Sequence, residues 1–343
     1  GSCLPNIVFF VLELVLMETL SDVGERELIR MASSIYHEHQ PLSDFTDDCA
    51  IIPINEEYLL ASSDMISEKT HVPHGMNPWQ IGWFITAINL SDIAAKGGKP
   101  LGLLLSLGMP KTYPTSSFLD VIKGASSCAT KYNTAIIGGD TKEHDSLAIS
   151  GTALGKVEKD LFMSRKGIQQ NDVIAVTGSL GKAAAGFKIL QKQKTSGTVN
   201  ALCEPSPRVN EGIILAETKL VHCCMDLSDG LSSSLYQLSE LNKVGFEIYQ
   251  EKLPISQELK ECASIDSTIN QVQLSLHFGG DYELLFTASE KDISTIQNEL
   301  SMIGTKVTVI GKVVSDKNEV VLKKPNGFRD QLPNLGYEHF KER

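Results

Sequence analysis

The pattern that most constrains this chain is a repeated one: short apolar runs of strand length, followed by an aspartate or a glycine pair, interleaved with segments of helical period. Mixed periods of this kind read as an α/β fold. In the first half, Ala50–Ile54, Tyr58–Ser62, Leu101–Leu107, Thr134–Ile137 and Ala148–Leu154 read as strands, and Trp79–Ala95 and Ser116–Tyr132 as helices. An amphipathic helix precedes them over residues 22–37, with Leu28, Ile29, Met31, Ala32 and Ile35 at helical spacing. The polar stretch Glu158–Asp172 reads as a connector. Beyond it, Val173–Thr177, His222–Met225, Phe246–Tyr249, Leu284–Thr287, Val307–Ile310 and Glu319–Leu322 read as strands, with helices near Ala183–Gln191, Leu231–Leu241 and Asp292–Ile303. A chain of 343 residues exceeds the usual size of one hydrophobic core. The expected organisation is an N-terminal extension over 1–20, a first domain over 21–160 and a second over 161–343. The phrases Gly151–Val157 and Val307–Val313 are alike, each expected as a strand running into a Gly-Lys-Val turn, a hint of two related halves.

The aspartates of this pattern are Asp47, Asp48, Asp64, Asp92, Asp140, Asp226, Asp229 and Asp281, each expected at a strand end or helix start. Carboxylates at such positions can converge on one cleft, where mixed α/β domains usually bind ligands. Taken singly, Asp48, Asp92 and Asp229 read as helix caps or turn residues. Taken as a set, with glycine pairs at Gly97-Gly98, Gly138-Gly139 and Gly279-Gly280 that allow backbone to approach phosphate, they point to a nucleotide site. Several carboxylates in one cleft repel unless cations lie between them, and hard oxygen ligands suit Mg²⁺. The formal charge of -11 agrees with this, and it argues against nucleic acid as a partner, which needs clustered Lys and Arg.

Seven cysteines without a C-x-x-C pair or zinc-like spacing fit a reducing cytoplasm. The apolar run Ile7–Met17 is too short to span a bilayer, carries Glu13 and lacks the features of a signal peptide, so no membrane role is expected. Gly1-Ser2 reads as an expression scar, and the run as an extension before a natural start at Met17 or as an extra strand. The segment Val176-Thr-Gly-Ser-Leu-Gly-Lys182 resembles a P-loop only in outline: two residues separate its glycines where four are required, and Ala183 follows the lysine. Lys182 therefore reads as a surface residue at a helix start.

An ordered series of motifs over about residues 20–340 resembles the thiamine-monophosphate kinase family, within the superfamily of aminoimidazole ribonucleotide synthetase. The series is Asp47-Asp48-Cys-Ala, Ser62-Ser63-Asp64, His71, Asn89-Leu-Ser-Asp92-Ile-Ala-Ala-Lys-Gly-Gly98, Gly138-Gly-Asp-Thr141, Ser164-Arg165, Asp226-Leu-Ser-Asp-Gly230, Asp281-Tyr-Glu-Leu-Leu-Phe286 and Gly336-Tyr-Glu-His-Phe340. The resemblance implies two mixed α/β domains (α+β), with the N-terminal domain pairing across a homodimer as a shared sheet or barrel. It implies ATP-dependent phosphorylation of thiamine phosphate, assisted by several Mg²⁺ ions and without a protein nucleophile. It makes Asp48, Ser62, Ser63, Asp64, Asp92, Asp140, Asp226 and Asp229 metal ligands, and Gly139, Asp140, Arg165 and Ser228 nucleotide contacts. His71 and Tyr337 become contacts to thiamine phosphate; without the resemblance they read as a loop histidine and a buried terminal aromatic. Two departures stand out. Thr46 replaces the glycine before the paired aspartates, and Gly279-Gly280-Asp281-Tyr282 is one acid short of the family's Gly-Gly-Glu-Asp-Tyr. Asp281 is then either a substrate contact or a cap. The rival readings are another ATP-dependent member of the superfamily, such as a purine-pathway synthetase, and a nucleotide-binding homologue without turnover.

Overall fold

The computed structural model describes residues 19–39, 46–192, 197–315, 319–336 and 339–340. The apolar run Ile7–Met17 and Tyr337 lie outside the described residues. Contacts divide the chain into two units, 46–336 being the larger; the smaller takes in 1–45 and 337–343. In the smaller unit, helix α1 (Leu20–Val23) stops at Gly24, whose φ of 86° no ordinary side chain favours, and α2 (Glu25–His39) follows. The single helix expected over 22–37 is therefore two.

In the larger unit, the first half builds a sheet in the order β1-β2-β5-β3-β4 from β1 (Ala50–Ile54), β2 (Glu57–Ser67), β3 (Lys99–Met109), β4 (Ile136–Glu143) and β5 (Ala148–Glu158). Its helices are α3 (Glu68–His71), α4 (Pro78–Ala95) and α5 (Thr115–Lys131). The second half builds a sheet in the order β12-β11-β8-β10-β6-β9-β7 from β6 (Val173–Thr177), β7 (Val221–Asp226), β8 (Gly245–Tyr249), β9 (Leu284–Ala288), β10 (Val307–Val314), β11 (Val320–Lys323) and β12 (Arg329–Gln331). Its helices are α6 (Lys182–Gln191), α7 (Gly197–Cys203), α8 (Val209–Thr218), α9 (Leu231–Asn242), α10 (Gln257–Ile265), α11 (Gln271–His277) and α12 (Ile293–Ser301). The fold is mixed α/β, as the two periods required.

Helix α4 is the element that positions the site. It starts at a reciprocal cap, in which Asn77 Oδ1 accepts from Gln80 N at 2.9 Å and Gln80 Oε1 from Asn77 N at 3.0 Å, with Pro78 at the first helical position. A helix apolar on every side must be buried on every side. Nearly all of α4 is, from Gln80 to Ala95, and it packs against β2 and β5 on one side and against α8 and β7 on the other. Leu90, Ala94, Ala175, Leu215, Cys224 and Phe286 consequently share one core that spans both halves.

Three expectations are corrected. The strands run on past their apolar stretches: β2 keeps its antiparallel register with β5 from Glu57 to Ser67, which places Asp64 inside a strand. Asp140 likewise lies within β4, and Asp92 lies in the last turn of α4 rather than at a cap. The Gly-Lys-Val phrases are not turns. Both continue central strands, β5 and β10, and a Cβ at Gly155 would lie 2.7 Å from Ile93 Cγ2 while one at Gly311 would lie 2.3 Å from the Glu247 carbonyl oxygen. Glycine there permits close packing, not a change of direction.

Candidate active site

Alternation along β2 sends Ser62 and Asp64 to the face covered by α4 and Ser63 to the opposite face. From α4, Asn89, Asp92 and Lys96 follow at i, i+3 and i+7, so one stripe of the helix meets that face of β2. Asn89 fixes the junction: its Oδ1 accepts from the Asp64 backbone N–H at 3.1 Å, and its Nδ2 donates to the Ile85 carbonyl at 2.8 Å. The Ser62 hydroxyl donates to Asp92, and Ser91 Oγ donates to Asp226 Oδ2 at 2.7 Å, tying α4 to the end of β7. One oxygen from each of Asp48, Asp92 and Asp226 thereby comes within 4.8 Å of the others, the one such cluster among the described residues.

The members of this cluster differ in charge balance. Burial first, then the charges of Asp64, Asp226 and Asp48, hold Asp92 well above the ordinary carboxylate value. Asp226 is pushed up to about 7 by burial and then by Asp48. Each accepts from a hydroxyl, and the charge of Arg165 offsets part of the rise at Asp226. For Asp48, burial also acts upward, but Arg165 and Lys96 outweigh it and hold the carboxyl below its usual value. The Arg165 guanidinium grips Asp48 and also donates to Gln237 Oε1 at 3.2 Å, while its backbone N–H and the Ser164 hydroxyl donate to Asp47 Oδ2 at 3.1 and 3.0 Å.

Other expected site residues lie elsewhere. Ser63 Oγ is 3.1 Å from Thr152 Oγ1 and donates to the Gly151 carbonyl at 3.1 Å, on the outer face of the first sheet. Register carries Thr152 to Leu104 and Ser106 to Asp140, so Asp140 sits on that outer face too, with Lys142 Nζ 3.6 Å from Oδ1. Side-chain ligation through Ser63 and Asp140 is thus separated by the sheet from the Asp48–Asp92–Asp226 cluster. Gly139, at φ 148° on edge strand β4, admits no side chain, since a Cβ would meet the Leu105 carbonyl oxygen at 1.8 Å. His71 ends α3, just beyond β2, with Nδ1 2.6 Å from Thr70 Oγ1. Ser228 is exposed and Asp229 half-buried in the loop between β7 and α9.

Asp281 has a definite task. Its Oδ2 accepts from Gly181 N at 2.6 Å and its Oδ1 from Ala183 N at 3.1 Å, so the carboxylate occupies the N-terminus of α6. That is where a P-loop would hold phosphate, a physical reason beyond spacing to reject one here. The surrounding turn supports the β7–α9 loop, with Gly280 N donating to the Ser228 carbonyl at 2.8 Å and Tyr282 N to that of Leu227 at 3.0 Å. Glu283, the acid after Tyr282, is buried and chelated by Arg208 through Nε at 2.6 Å and Nη2 at 2.7 Å.

A family model described as AIR synthase related protein, N-terminal domain, matches residues 46–157, and its C-terminal counterpart matches 169–324. The thiamine-monophosphate kinase of Methanospirillum hungatei is 34% identical over 294 residues, which are 86% of this chain and 93% of that protein. The chain belongs to the thiamine-monophosphate kinase family. The family member of Pyrococcus horikoshii is 30% identical over 333 residues, covering 94% of this chain and 98% of its own. Among solved structures, AaThiL complexed with AMPPCP and TMP superposes with a TM-score of 0.83 at 26% identity, covering 94% of this chain and 99% of that one.

Against the family frame, sequence reasoning missed Lys96, Asn89 and Ser91 as members of the site and gave Asp47, counted among the converging aspartates, no role of its own. All four lie in phrases that carried the resemblance. A lysine reads as surface by default, and only its place beside the Gly97-Gly98 pair, at the end of a helix with no other basic residue, marked Lys96 as unusual.

Proposed function

We infer that this chain transfers the γ-phosphoryl group of ATP to thiamine monophosphate, giving thiamine diphosphate and ADP. The observation that carries this reading is the convergence of Asp48, Asp92 and Asp226 at the junction of the two halves, in a chain that matches thiamine-monophosphate kinases over nearly its whole length. An oxygen of the acceptor phosphate attacks the γ-phosphorus in line, so no side chain need act as nucleophile and the work is positioning and charge stabilisation. Magnesium fits the donor set: Asp92, half-buried, and Asp226, buried, are hard-oxygen ligands that accept from hydroxyls and are raised first by burial and then by neighbouring carboxylates. Bound there, it supplies the positive charge that brings carboxylates and phosphate oxygens together.

In this reading Asp48, Asp92 and Asp226 hold the metal together with Asp64, with Asp229 approaching from the β7–α9 loop. Ser62, Ser91 and Asn89 set their directions, and Arg165 secures Asp48. Ser228 contacts nucleotide beside the cluster, Gly139 and Asp140 on the outer face contact nucleotide across the homodimer proposed below, and the resemblance leaves His71 and Tyr337 as contacts to thiamine phosphate. Ser63 is left to the outer face and Asp281 to α6. The exposed apolar residues of that outer face support a homodimer built through the first sheet. The change of sheet at the Glu158–Asp172 connector supports a domain boundary there, and a cytoplasmic setting agrees with free, buried cysteines.

The test is purified protein with ATP and Mg²⁺, scored for thiamine diphosphate on addition of thiamine monophosphate and again after EDTA. Expected are product dependent on both substrates and abolition by EDTA. ATP binding without turnover would favour the non-catalytic homologue, and turnover only with a purine-pathway acceptor would favour a synthetase.

A further inference from the structure

Among the described residues, seven other than glycine have a positive φ, and six of them are exposed. The seventh is Tyr282, at φ 49° and with 9% of its surface exposed. A bulky side chain in the left-handed region is uncommon and persists only where its surroundings hold it there. The turn before it is pressed on the β7–α9 loop: a Cβ at Gly279 would lie 2.3 Å from the Ser228 carbonyl oxygen, and Tyr282 N donates to the Leu227 carbonyl at 3.0 Å. Two residues later Leu284 pairs with Asp226, so Tyr282 leaves the sheet beside the acidic end of β7.

The left-handed turn sends the ring out of its own half. Tyr282 stands edge-on to Phe84 of α4, with 6.1 Å between ring centroids at 80°, and shares a core with Ile66, Phe84 and Ile88 of the first half. Asp64 lies two residues before Ile66 on the same face of β2, and Asp92 one turn beyond Ile88 on the same side of α4. Both rows that hold the ring therefore lead to the carboxylate cluster. Burial, then the charges of Asp64, Asp226, Asp229 and Asp92, raise the phenol well above its usual value, so it remains a neutral donor. The hydroxyl makes no hydrogen bond to any of the described residues. A buried tyrosine normally gives its hydroxyl a partner.

We propose that the Tyr282 hydroxyl donates a hydrogen bond to a phosphate oxygen brought to the carboxylate cluster, and that the left-handed turn serves to deliver it there. The inference rests on the phosphoryl-transfer reading above and adds a catalytic residue to it. Carboxylates that hold a metal have their oxygens engaged, whereas a phosphate on the same metal keeps further oxygens in need of donors. A phenol meets that need without adding charge. Phe84 and the turn fix its direction beforehand, so little ordering remains when the substrate arrives. The oxygen belongs to the γ-phosphoryl group of ATP or to the phosphate of thiamine monophosphate, which share this chemistry.

Tyr282→Phe in the full chain keeps the ring and removes the hydroxyl. Steady-state kinetics with ATP, Mg²⁺ and thiamine monophosphate should show kcat/KM lowered by about tenfold to a hundredfold, the range for a lost hydrogen bond to a charged group. The melting temperature, and the binding of Mn²⁺ followed by electron paramagnetic resonance without nucleotide, should match the unmodified protein. A rise in KM confined to thiamine monophosphate assigns the oxygen to the acceptor phosphate, one confined to ATP assigns it to the γ-phosphoryl group, and a fall in kcat alone places the bond in the transition state. Each of these supports the proposal. A folded Tyr282→Phe with kcat/KM within about twofold of the unmodified protein would overturn it. Weakened Mn²⁺ binding would also overturn it, by making the hydroxyl a support of the metal-holding carboxylates. So would a Tyr282→Phe chain that does not fold, since the hydroxyl would then belong to the fold. An unmodified protein that makes no thiamine diphosphate would overturn the transfer reading and this inference together, whereas a fully active variant of an active protein removes this inference alone.

Discussion

Asp92 accepts from the Ser62 hydroxyl and lies among the charges of Asp64, Asp226 and Asp48, surroundings that suit a metal ligand. Asp64→Asn and Asp92→Asn should each lower turnover by about a hundredfold while the melting temperature stays level or rises, since each substitution removes repulsion and little packing. Near-normal turnover in both would remove the metal assignment. Asp281 makes the opposite prediction. Burial, opposed by the Gly181 and Ala183 N–H groups, raises it from 3.8 to about 7. The folded state therefore keeps this proton to higher pH than the unfolded chain does. Its contribution is complete below pH about 4 and is lost as pH climbs towards 7. Asp281→Asn turns one acceptor into a donor facing a backbone N–H and should destabilise by about 1–2 kcal/mol near pH 5. The gap should narrow by pH 8, with KM for both substrates unchanged. A raised KM for thiamine monophosphate at unchanged stability would return Asp281 to the substrate site. What a sequence shows at this scale is residue type, and type alone cannot separate Asp281 from Asp92. The difference lies in what burial brings alongside, a helix end for one and other carboxylates for the other.

Elements were legible wherever one period ran unbroken. β1 and β6 have the bounds expected of them, and α4 and α5 shift by a residue, because their apolar runs are long and their caps are local. β2 and β4 were read short, since the site draws serine, aspartate and glycine into the strand, and those types read as breakers when their partners are out of view. α7, α8, α10 and α11 went unread, being seven to ten residues long. Helices of that size owe their stability to packing rather than to propensity. The start of α6 allows a test at this scale. Its N-terminal N–H groups already hold Asp281, and Lys182 stands half-buried as the first helical residue. Lys182→Ala should change turnover by less than about tenfold, whereas removal of a true P-loop lysine would abolish it. A collapse of activity would mean that the helix end receives phosphate after all.

For the whole molecule the open question is the outer face of the first sheet. The helices α4 and α5 cover the inner face, and the outer one presents Ile52, Ile54, Met65, Leu104 and Ile137, with Met65 63% and Ile137 56% exposed. Apolar side chains spread over a sheet face normally mark an interface. A second copy of the same face is the simplest occupant, because it asks for no other partner and a two-fold axis lets one patch complement itself. The family resemblance implies the same pairing. Sedimentation at micromolar concentration should give a dimer. The double variant Met65→Glu, Ile137→Glu should sediment as a monomer with an unchanged circular dichroism spectrum, because neither side chain supports the fold of its own chain and both would bring like charges face to face. Asp140 and Gly139 share that sheet edge, so the variant should also weaken ATP binding if nucleotide is contacted there. Dimerisation that survives the double variant would place the interface elsewhere and leave the apolar face to another partner.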